Sequence, residues 1–383
     1  MCDILKHTTM KTGDKTMKKI HRTLSLFTVA AMCTALLCSC GAVPDSSQTD
    51  SSSKAATTTT SDTTADTTTT GEASSTVSAT SAPDSSVSDS SSAVTDDTKT
   101  NGITPAMWKV TSPEGNTMVM LGSFHALKDE CYPLPEAVTN AYNNADILAV
   151  ECDITSTSED GEYMKNLMKQ MLYNDNTKLS QHISEEAYSA LKTYLGYWGM
   201  DISALEVYRP WAVSSTLDTL LIQDSGFDSE KGLDNFLLTT AHAEGKEIYE
   251  VESVDFQMNL LINFSDDIYD LMFRSYEGET KESQKQALED LYTVWKSGDI
   301  ETFLEEDNEE ELAGYTEEDK KIAEDYNNQM LYDRNKNMAK AAEDLMSQGK
   351  NVFYVVGAAH YAGEGGIIDL LEKDGYTAER VQY

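Results

Sequence analysis

Two histidines follow the same local pattern, in which an apolar run is followed by a glycine, two further residues and the histidine. The first copy covers residues 118–125 and ends in His125, and the second covers residues 352–360 and ends in His360. Apolar runs rich in β-branched and aromatic residues are typical of strands that are buried on both faces. Each histidine is therefore predicted to follow the carboxyl end of a buried strand, and ligands bind at that edge in open α/β sheets.

The glycine of each pattern has a physical role. Gly122 and Gly357 lack a Cβ, which allows a sharp turn and a close approach of the backbone to whatever the imidazole holds. For either copy alone, a histidine that only caps a strand end is the alternative. Two copies in one chain instead indicate a metal or acid–base site, with Gly122 and Gly357 as cofactor-binding positions that shape it.

A carboxylate ends a third apolar run, which covers residues 146–151. Burying the unpaired carboxylate of Glu151 would be costly, so it is predicted to face a cation or a metal, unless it points to solvent at the strand end. His125, His360 and Glu151 together make a divalent-metal site, and imidazole suits several transition metals, with Mn, Co and Zn all open. A water bound to such an ion becomes a nucleophile near neutral pH.

An arginine lies on the apolar stripe of the helix predicted over residues 317–348. Arg334 shares this stripe with Leu331 and Met338, and a guanidinium that faces a core needs an anion. The predicted partner is a strand-end carboxylate, Glu151 or Glu252. Either the pair is structural, or Arg334 and Glu151 belong to the catalytic site.

Helical and strand patterns alternate along the rest of the folded part, which predicts an α+β domain over residues 101–383. The predicted elements are a hairpin over 108–121, helices over 134–144, 161–223, 232–244 and 253–314, and strands over 246–251 and 377–381. This part contains two cysteines, Cys131 and Cys152, and a disulfide between them stays open because spacing alone cannot place them in contact.

The net charge of −36 in 383 residues argues against a nucleic-acid partner, because no basic patch exists to neutralise phosphates. A cationic partner or a divalent metal fits such a field better. The chain has no His-Glu-x-x-His helix, so a peptidase of this sequence would not be of the common zinc type.

The amino-terminal residues are predicted to be a targeting segment. Lys18, Lys19 and Arg22 precede an apolar run over 24–37, a pattern typical of a signal peptide, here residues 1–39. The run ends in the sequence Leu-Cys-Ser-Cys-Gly, which resembles the lipobox of bacterial lipoproteins and implies a lipidated Cys40. An ordinary signal peptide with incidental cysteines is the alternative.

Residues 40–100 consist almost entirely of Ser, Thr, Asp and Ala after the first cysteine. Such a segment buries too little apolar surface to offset its ordering entropy, so we expect a disordered linker. Together, the two segments predict a chain anchored to the membrane through Cys40, with its domain on the extracytoplasmic face of the cell membrane.

The domain resembles the TraB/PrgY/GumN family, whose animal relatives include the Tiki proteins, over about residues 108–383. The resemblance is carried, in family order, by Leu121-Gly122-Ser123-Phe124-His125, Tyr132-Pro133-Leu134-Pro135, Val150-Glu151-Cys152-Asp153, Arg209-Pro210-Trp211, Gly232-Leu233-Asp234, Val251-Glu252-Ser253, Arg334-Asn335-Lys336-Asn337-Met338-Ala339 and Val355-Val356-Gly357-Ala358-Ala359-His360.

The resemblance implies an erythromycin-esterase/ChaN-like α+β fold, with two β-units, packed helices and a helical insertion. It also implies a metal-dependent hydrolase that acts on a peptide or protein, since metalloprotease activity belongs to the Tiki branch. The alternative is a non-catalytic lipoprotein that sequesters a peptide or a signal. The residues carried over to the site are His125, Glu151, Arg334 and His360, with Gly122 and Gly357 beside them.

If the lipobox assignment is correct, the mature chain begins at a lipid-modified Cys40, and Cys40→Ala releases the chain from membranes. Intact-mass spectrometry of the mature protein and its partition into detergent measure this. An unmodified amino terminus in the wild-type chain would contradict the assignment.

Overall fold

The computed structural model describes residues 101–155, 160–304 and 315–383. The predicted signal peptide, the lipidated Cys40 and the linker lie outside the described residues. Within the described ranges, no helix combines the length and the apolar character that crossing a membrane requires.

Six strands form one mixed sheet, in the order β4-β3-β5-β2-β1-β6. Their bounds are β1 Met107–Thr111, β2 Thr117–Ser123, β3 Ile147–Val150, β4 Glu247–Glu250, β5 Val352–Gly357 and β6 Thr377–Arg380. Strand β1 pairs antiparallel with β2 and β6, which confirms the predicted hairpin, whereas β4, β3, β5 and β2 are mutually parallel. The two expected β-units are thus joined into a single sheet, because β5 hydrogen-bonds to both β2 and β3.

Helices account for most of the remaining described chain. They are α1 Glu136–Asn144, α2 Gly161–Gln170, α3 Glu185–Tyr197, α4 Pro210–Asp224, α5 Leu233–Glu244, α6 Val254–Ile262, α7 Asp266–Arg274, α8 Lys281–Ser297, α9 Glu317–Asn327, α10 Asp333–Ser347 and α11 Ile367–Lys373. Helix α5 ends where Gly245 adopts a left-handed conformation with φ of 69°, which glycine tolerates without strain. The mixture of a sheet with abundant helix is the expected α+β class.

Strands β3 and β5 form the buried centre of the sheet. Every residue of both strands is buried. Since successive side chains of a strand point to opposite faces, both faces of these strands must be covered. Helix α10 contributes to this cover, and the Tyr354 hydroxyl donates to the Met338 carbonyl at 2.9 Å. The prediction of strands buried on both faces is therefore confirmed for these two apolar runs.

The long helix predicted over residues 317–348 is interrupted by a π-helix, Asn328–Tyr332, between α9 and α10. Short π segments often occur at functional sites. Here the segment presents the Met330 carbonyl to Arg334, whose Nη1 donates to it at 3.0 Å.

The four parallel strands all end at the same edge of the sheet. Residues that follow β2, β3, β4 and β5 therefore lie close together. Gly122 and Gly357, for example, are more than 200 positions apart in the sequence, but they lie at the ends of the paired strands β2 and β5. This edge holds the predicted site residues.

Candidate functional site

His125 follows β2 and is held by Asp234, in the first turn of α5. The His125 Nδ1 and Asp234 Oδ2 atoms are 2.8 Å apart. The start of α5 packs tightly against the histidine loop, because the Leu233 amide donates to the Phe124 carbonyl at 3.1 Å. A Cβ at Gly232 would lie 2.1 Å from the His125 carbonyl oxygen, so only glycine permits this approach.

His360 lies in the 3₁₀-helix Ala358–Tyr361, directly after β5, and is buried. Its Nδ1 lies 2.6 Å from the Asn335 Oδ1 atom. The Asn335 amide nitrogen donates to the Gly365 carbonyl at 2.9 Å, which turns the amide oxygen toward the ring. The hydrogen-bond network therefore assigns the proton to Nδ1 and leaves the Nε2 lone pair free, 3.8 Å from Glu151 Oε1.

Glu151 directly follows β3 and uses its two oxygens differently. Oε1 accepts from the Gly357 amide at 2.6 Å and faces the His360 ring. Oε2 accepts from Arg334 Nη2 at 2.8 Å and from Gln257 Nε2 at 2.9 Å. The carboxylate is thus fixed on one side and points its other oxygen toward the two histidines.

Arg334 is buried between two carboxylates, as predicted, and it pairs with both candidates. Its Nη2 lies 2.8 Å from Oε2 of Glu151 and 2.8 Å from Oε2 of Glu252. Its Nε donates to Glu252 Oε1 at 2.9 Å. One guanidinium opposes two carboxylates here, so the cluster retains a net negative charge that favours a further cation.

Three side chains converge on Gly357. A Cβ placed there would lie 3.1 Å from Glu151 Oε1, 3.5 Å from His125 Nε2 and 3.6 Å from His360 Cδ2. The two imidazole atoms can therefore be no more than 7.1 Å apart, from 3.5 Å and 3.6 Å to one point. Two nitrogens bound to one ion at about 2 Å each lie within about 4 Å of each other, so small side-chain movements are enough to bring both rings to one ion. Gly122 instead faces Ala358: a Cβ added to Gly122 would lie 2.9 Å from the Ala358 Cβ, so glycine lets β2 pack against the 3₁₀-helix.

The surroundings drive the two histidines toward opposite charge states. Burial and the charge of Arg334 lower the pKa of His360 to about 3, so it stays neutral. Burial also disfavours protonated His125, but the charge of Asp234, its hydrogen bond and the charge of Glu151 raise the pKa of His125 above its ordinary value. Solvent moderates this rise, because 37% of the His125 side chain is exposed.

Burial opposes ionisation of Glu151. The charges of Arg334, His360 and His125 and the Gly357 amide nevertheless hold its pKa well below the usual range.

The donor set fits a divalent cation in chemistry and orientation. Metal ions bind neutral imidazole nitrogens and carboxylate oxygens, and the second ring nitrogen of a metal-bound histidine is ordinarily hydrogen-bonded. His125 and His360 each have Nδ1 engaged and Nε2 directed toward Glu151. Across the described ranges, no three His, Cys, Asp or Glu residues already stand at ligand spacing, so ligation requires these side chains to close around the ion.

The site opens into an apolar cavity of about 150 Å³. His125, Glu151, Arg334 and His360 line one part of it. Apolar side chains line much of the rest, among them Leu221, Ile222, Leu260, Leu288, Phe303 and Met330. The cavity offers room for about one large side chain beside the polar cluster.

A further carboxyl group, Asp218, also lines the cavity. It lies on α4, one turn before Leu221 and Ile222, and is 5% exposed. Its Oδ2 is buried and has no hydrogen-bond partner in the described part of the chain. Burial raises the pKa of Asp218 to about 8.

Sequence reasoning missed several residues that complete the site. Asp234 and Asn335 fix the two imidazoles, Gln257 bridges Glu151 and Glu252, and Asp218 lines the cavity. Asp234 and Asn335 do fall within the motifs that carry the family resemblance, which is the signal that could have identified them.

Two further histidines of the described residues, His182 and His242, do not line the cavity. His182 pairs with Asp266, and His242 pairs with Asp153. Cys131 and Cys152 are not joined by a disulfide: Cys131 contacts the Tyr292 hydroxyl, and Cys152 contacts Gln257.

Arg334→Met should lower the free energy of unfolding by about 3–5 kcal/mol, because it leaves two buried carboxylates without their cation. Arg334→Met combined with Glu252→Gln should recover part of this loss, since one of the two uncompensated charges is removed. Urea unfolding of the wild type and both variants measures the effect. Equal stability of the single and double variants would show that Glu252 does not depend on Arg334.

Asp218→Asn should become progressively more stable than the wild type as the pH rises from about 4 to about 8. A folded-state pKa of about 8 lies above the unfolded value of about 3.9, so the folded wild type binds the extra proton and loses stability as that proton leaves. The difference in free energy of unfolding should grow by up to about 1.4 kcal/mol per pH unit and then level off.

Urea unfolding at several pH values measures this difference between the variant and the wild type. The other ionisable groups around the cavity are the same in both chains, so their contributions cancel. They are His125, Glu151, Asp234, Arg334, His360 and, on α3, Tyr194. Asp224→Asn is the matched control, because it removes a carboxylate from the same helix at a partly exposed position that pairs with Lys281. Its curve should run parallel to the wild type between pH 5 and 8. Parallel curves for Asp218→Asn as well would rule out an unpaired buried carboxyl.

Comparison with known proteins gives one family and several distant relatives. The model of the TraB/PrgY/gumN family matches residues 106–380. The chain is 25% identical to "Metalloprotease TIKI homolog" of Nematostella vectensis, over 65% of this chain and 61% of that protein, and 22% identical to "Metalloprotease TIKI2" of Danio rerio, over 64% and 54%.

It is also 24% identical to "Uncharacterized protein YbaP" of Escherichia coli, over 41% of this chain and 56% of that protein. The chain therefore spans little more than half the length of these relatives. No solved structure matches. Because the family model covers nearly all of the described domain, and with it the motifs that supply both histidines, Glu151 and Arg334, the chain belongs to the TraB/PrgY/gumN family.

Proposed function

We propose that the chain is a metal-dependent hydrolase whose substrate is a peptide or protein. The observation that carries the proposal is the convergence of His125 Nε2, the His360 ring and Glu151 Oε1 on Gly357, with Nδ1 of each imidazole held by another side chain. A cavity that only binds a ligand has no need of two imidazoles prepared in this way. Distant relatives that are named metalloproteases support the same reaction class.

His125, His360 and Glu151 would hold the ion, which supplies Lewis-acid chemistry and an activated water when bound. Asn335 keeps the His360 proton on Nδ1, and Asp234 holds Nδ1 of His125, so that both Nε2 atoms face the site. His125 would release its Nε2 proton when an ion binds. Arg334 keeps Glu151 ionised and orients it through Oε2. The apolar wall of the cavity positions a substrate side chain and excludes water around the reacting group.

The proposed location is the outer face of the cell membrane, with the domain tethered through a lipidated Cys40 and the linker over residues 40–100. The acidic charge of the chain supports a partner other than nucleic acid. We also propose the erythromycin-esterase/ChaN-like arrangement for the fold, which the single mixed sheet accommodates.

A second candidate is a non-catalytic protein that sequesters a peptide or a signal. It is favoured by the ion pair that engages Glu151 Oε2 and by donor atoms that, among the described residues, are not yet at ligand spacing. Both candidates use the same cavity, so metal content and turnover separate them.

We expect the purified chain, stripped by a chelator and reloaded, to bind about one divalent ion and to cleave peptides only when loaded. His125→Ala and His360→Ala should abolish both properties. Asn335→Ala should weaken metal affinity by about 10–100-fold, because it removes the hydrogen bond that orients His360 and leaves the proposed ligands themselves in place. Elemental analysis and mass spectrometry of peptide digests give the two readouts.

His182→Ala is the matched control, since His182 pairs with Asp266 and does not line the cavity. It should leave metal content and cleavage unchanged. A chain that binds no ion and cleaves no peptide, yet still binds ligands in the cavity, would favour the sequestering protein instead.

A further inference from the structure

The cavity beside the histidines contains an unusual combination of groups. Helix α4 lines one wall of the cavity with Leu221 and Ile222. The buried carboxyl of Asp218 lies on the same helix, one turn earlier, and also lines the cavity. A leucine at this position would bury more apolar surface and would avoid the cost of an unpaired carboxyl. The fold alone therefore gives no reason for an acidic residue at position 218.

Among the described residues, no basic side chain forms an ion pair with Asp218. Arg334 is the one Lys or Arg among the cavity-lining residues of the described part, and Glu151 and Glu252 engage it. The Asp218 Oδ2 atom has no hydrogen-bond donor within the described ranges. The carboxyl is thus available to a group that enters the cavity from outside.

Two other polar atoms of residues that line the cavity, one after β2 and one on α5, share this condition. Ser123 Oγ and Asp234 Oδ1 line the cavity, are buried, and have no hydrogen-bond partner in the part of the chain that the structure describes. Buried polar atoms are nearly always paired in folded proteins. Three such atoms around one cavity indicate a ligand that supplies hydrogen-bond donors there.

A ligand that fits the cavity must contact an apolar wall along its length and a carboxyl group at one end. Lysine and arginine side chains do so, because each carries an aliphatic stem and a charged head that donates several hydrogen bonds. The carboxylates of Glu151, Asp234 and Glu252 outnumber the single guanidinium nearby, and the chain as a whole has a net charge of −36. Both facts favour a cation in the cavity.

We propose that Asp218 is a specificity-determining residue that binds the basic side chain of a peptide substrate, with the aliphatic stem against Leu221 and Ile222. The identity of the ligand as a peptide rests on the proposed hydrolase function. When the basic side chain binds, its cationic head takes the place of the proton on the buried Asp218 carboxyl, and this proton is released to the buffer. The raised pKa of the Asp218 carboxyl supports that exchange.

The test measures binding of two small probes to the full chain in a chelating buffer, by titration calorimetry. Nα-acetyl-lysine N-methylamide carries the charged head, and Nα-acetyl-norleucine N-methylamide has a matching apolar stem without it. The wild type should prefer the lysine probe by about tenfold or more, as expected for a hydrogen-bonded charge pair. Lysine binding should also release protons, seen as a heat that depends on the ionisation enthalpy of the buffer.

Asp218→Asn should lose the preference, and Asp218→Leu should reverse it. Asp224→Asn removes a carboxylate from the same helix outside the cavity and should keep the wild-type preference. Binding of the norleucine probe to the two Asp218 variants shows that their cavities remain folded. Equal affinities of the probes for the wild type, or an unchanged preference in Asp218→Asn, would overturn the proposal, as would failure of both probes to bind.

A third probe, norleucine N-methylamide with a free α-amino group, distinguishes a basic side chain from a peptide amino terminus. Preference for this probe that depends on Asp218 would overturn the assignment to a side chain. The binding measurements need neither an ion nor turnover. A chain that shows the lysine preference but never cleaves a peptide would therefore remove the hydrolase proposal and leave the recognition by Asp218 intact, whereas cleavage without the preference would do the reverse.

Discussion

The ion pair of Arg334 with Glu151 and Glu252 is the interaction on which the candidate site depends. A guanidinium and two carboxylates are costly to bury, and the cost is offset only when geometry and hydrogen bonds are favourable. The structure meets this condition with contacts of 2.8 Å to each carboxylate and with a π-helix that turns the Met330 carbonyl toward Nη1. The cluster links helix α10 to the ends of β3 and β4, so it fixes the helix that also carries Asn335 against the edge of the sheet.

The surroundings of the two histidines set their charge states. Arg334 and deep burial keep His360 neutral, while Asp234 and partial exposure favour the charged form of His125. Environments that separate the pKa values of two like groups commonly mark acid–base chemistry. The hydrogen bond at Nδ1, with Asp234 for His125 and with Asn335 for His360, fixes the orientation of each ring, as the outer partners of metal-bound histidines do. In the proposed hydrolase, the same residues would serve two purposes, which are holding an ion and transferring a proton.

Local sequence patterns identified the elements that form the sheet edge but not their neighbours. The runs before His125 and His360 could be predicted as strands because burial on both faces leaves an uninterrupted apolar run, and Gly357 could be singled out because a side chain there would crowd Glu151 Oε1. The order of the strands could not be predicted, since β5 pairs with strands that are distant in sequence and only the folded chain shows that it joins two expected units into one sheet.

Asp218 and Gln257 escaped prediction for a related reason. Each is an ordinary polar residue within a helical pattern, and its significance comes only from the cavity or the carboxylates that distant segments place beside it. By contrast, the partner of Arg334 could be predicted, because a cation on an apolar stripe requires an anion wherever the chain folds.

A structural and a functional role for Glu151 do not exclude each other. Its Oε2 is taken up by Arg334 and Gln257, which makes the carboxylate a structural partner, whereas its Oε1 receives only the Gly357 amide among the hydrogen bonds described and faces the imidazoles. An oxygen accommodates two lone-pair partners, so Oε1 keeps one direction open toward an ion. The buried guanidinium keeps the carboxylate charged, and the glycine amide keeps it in place. The division of labour between the two oxygens explains how a single strand-end glutamate can hold the fold together and still serve the candidate site.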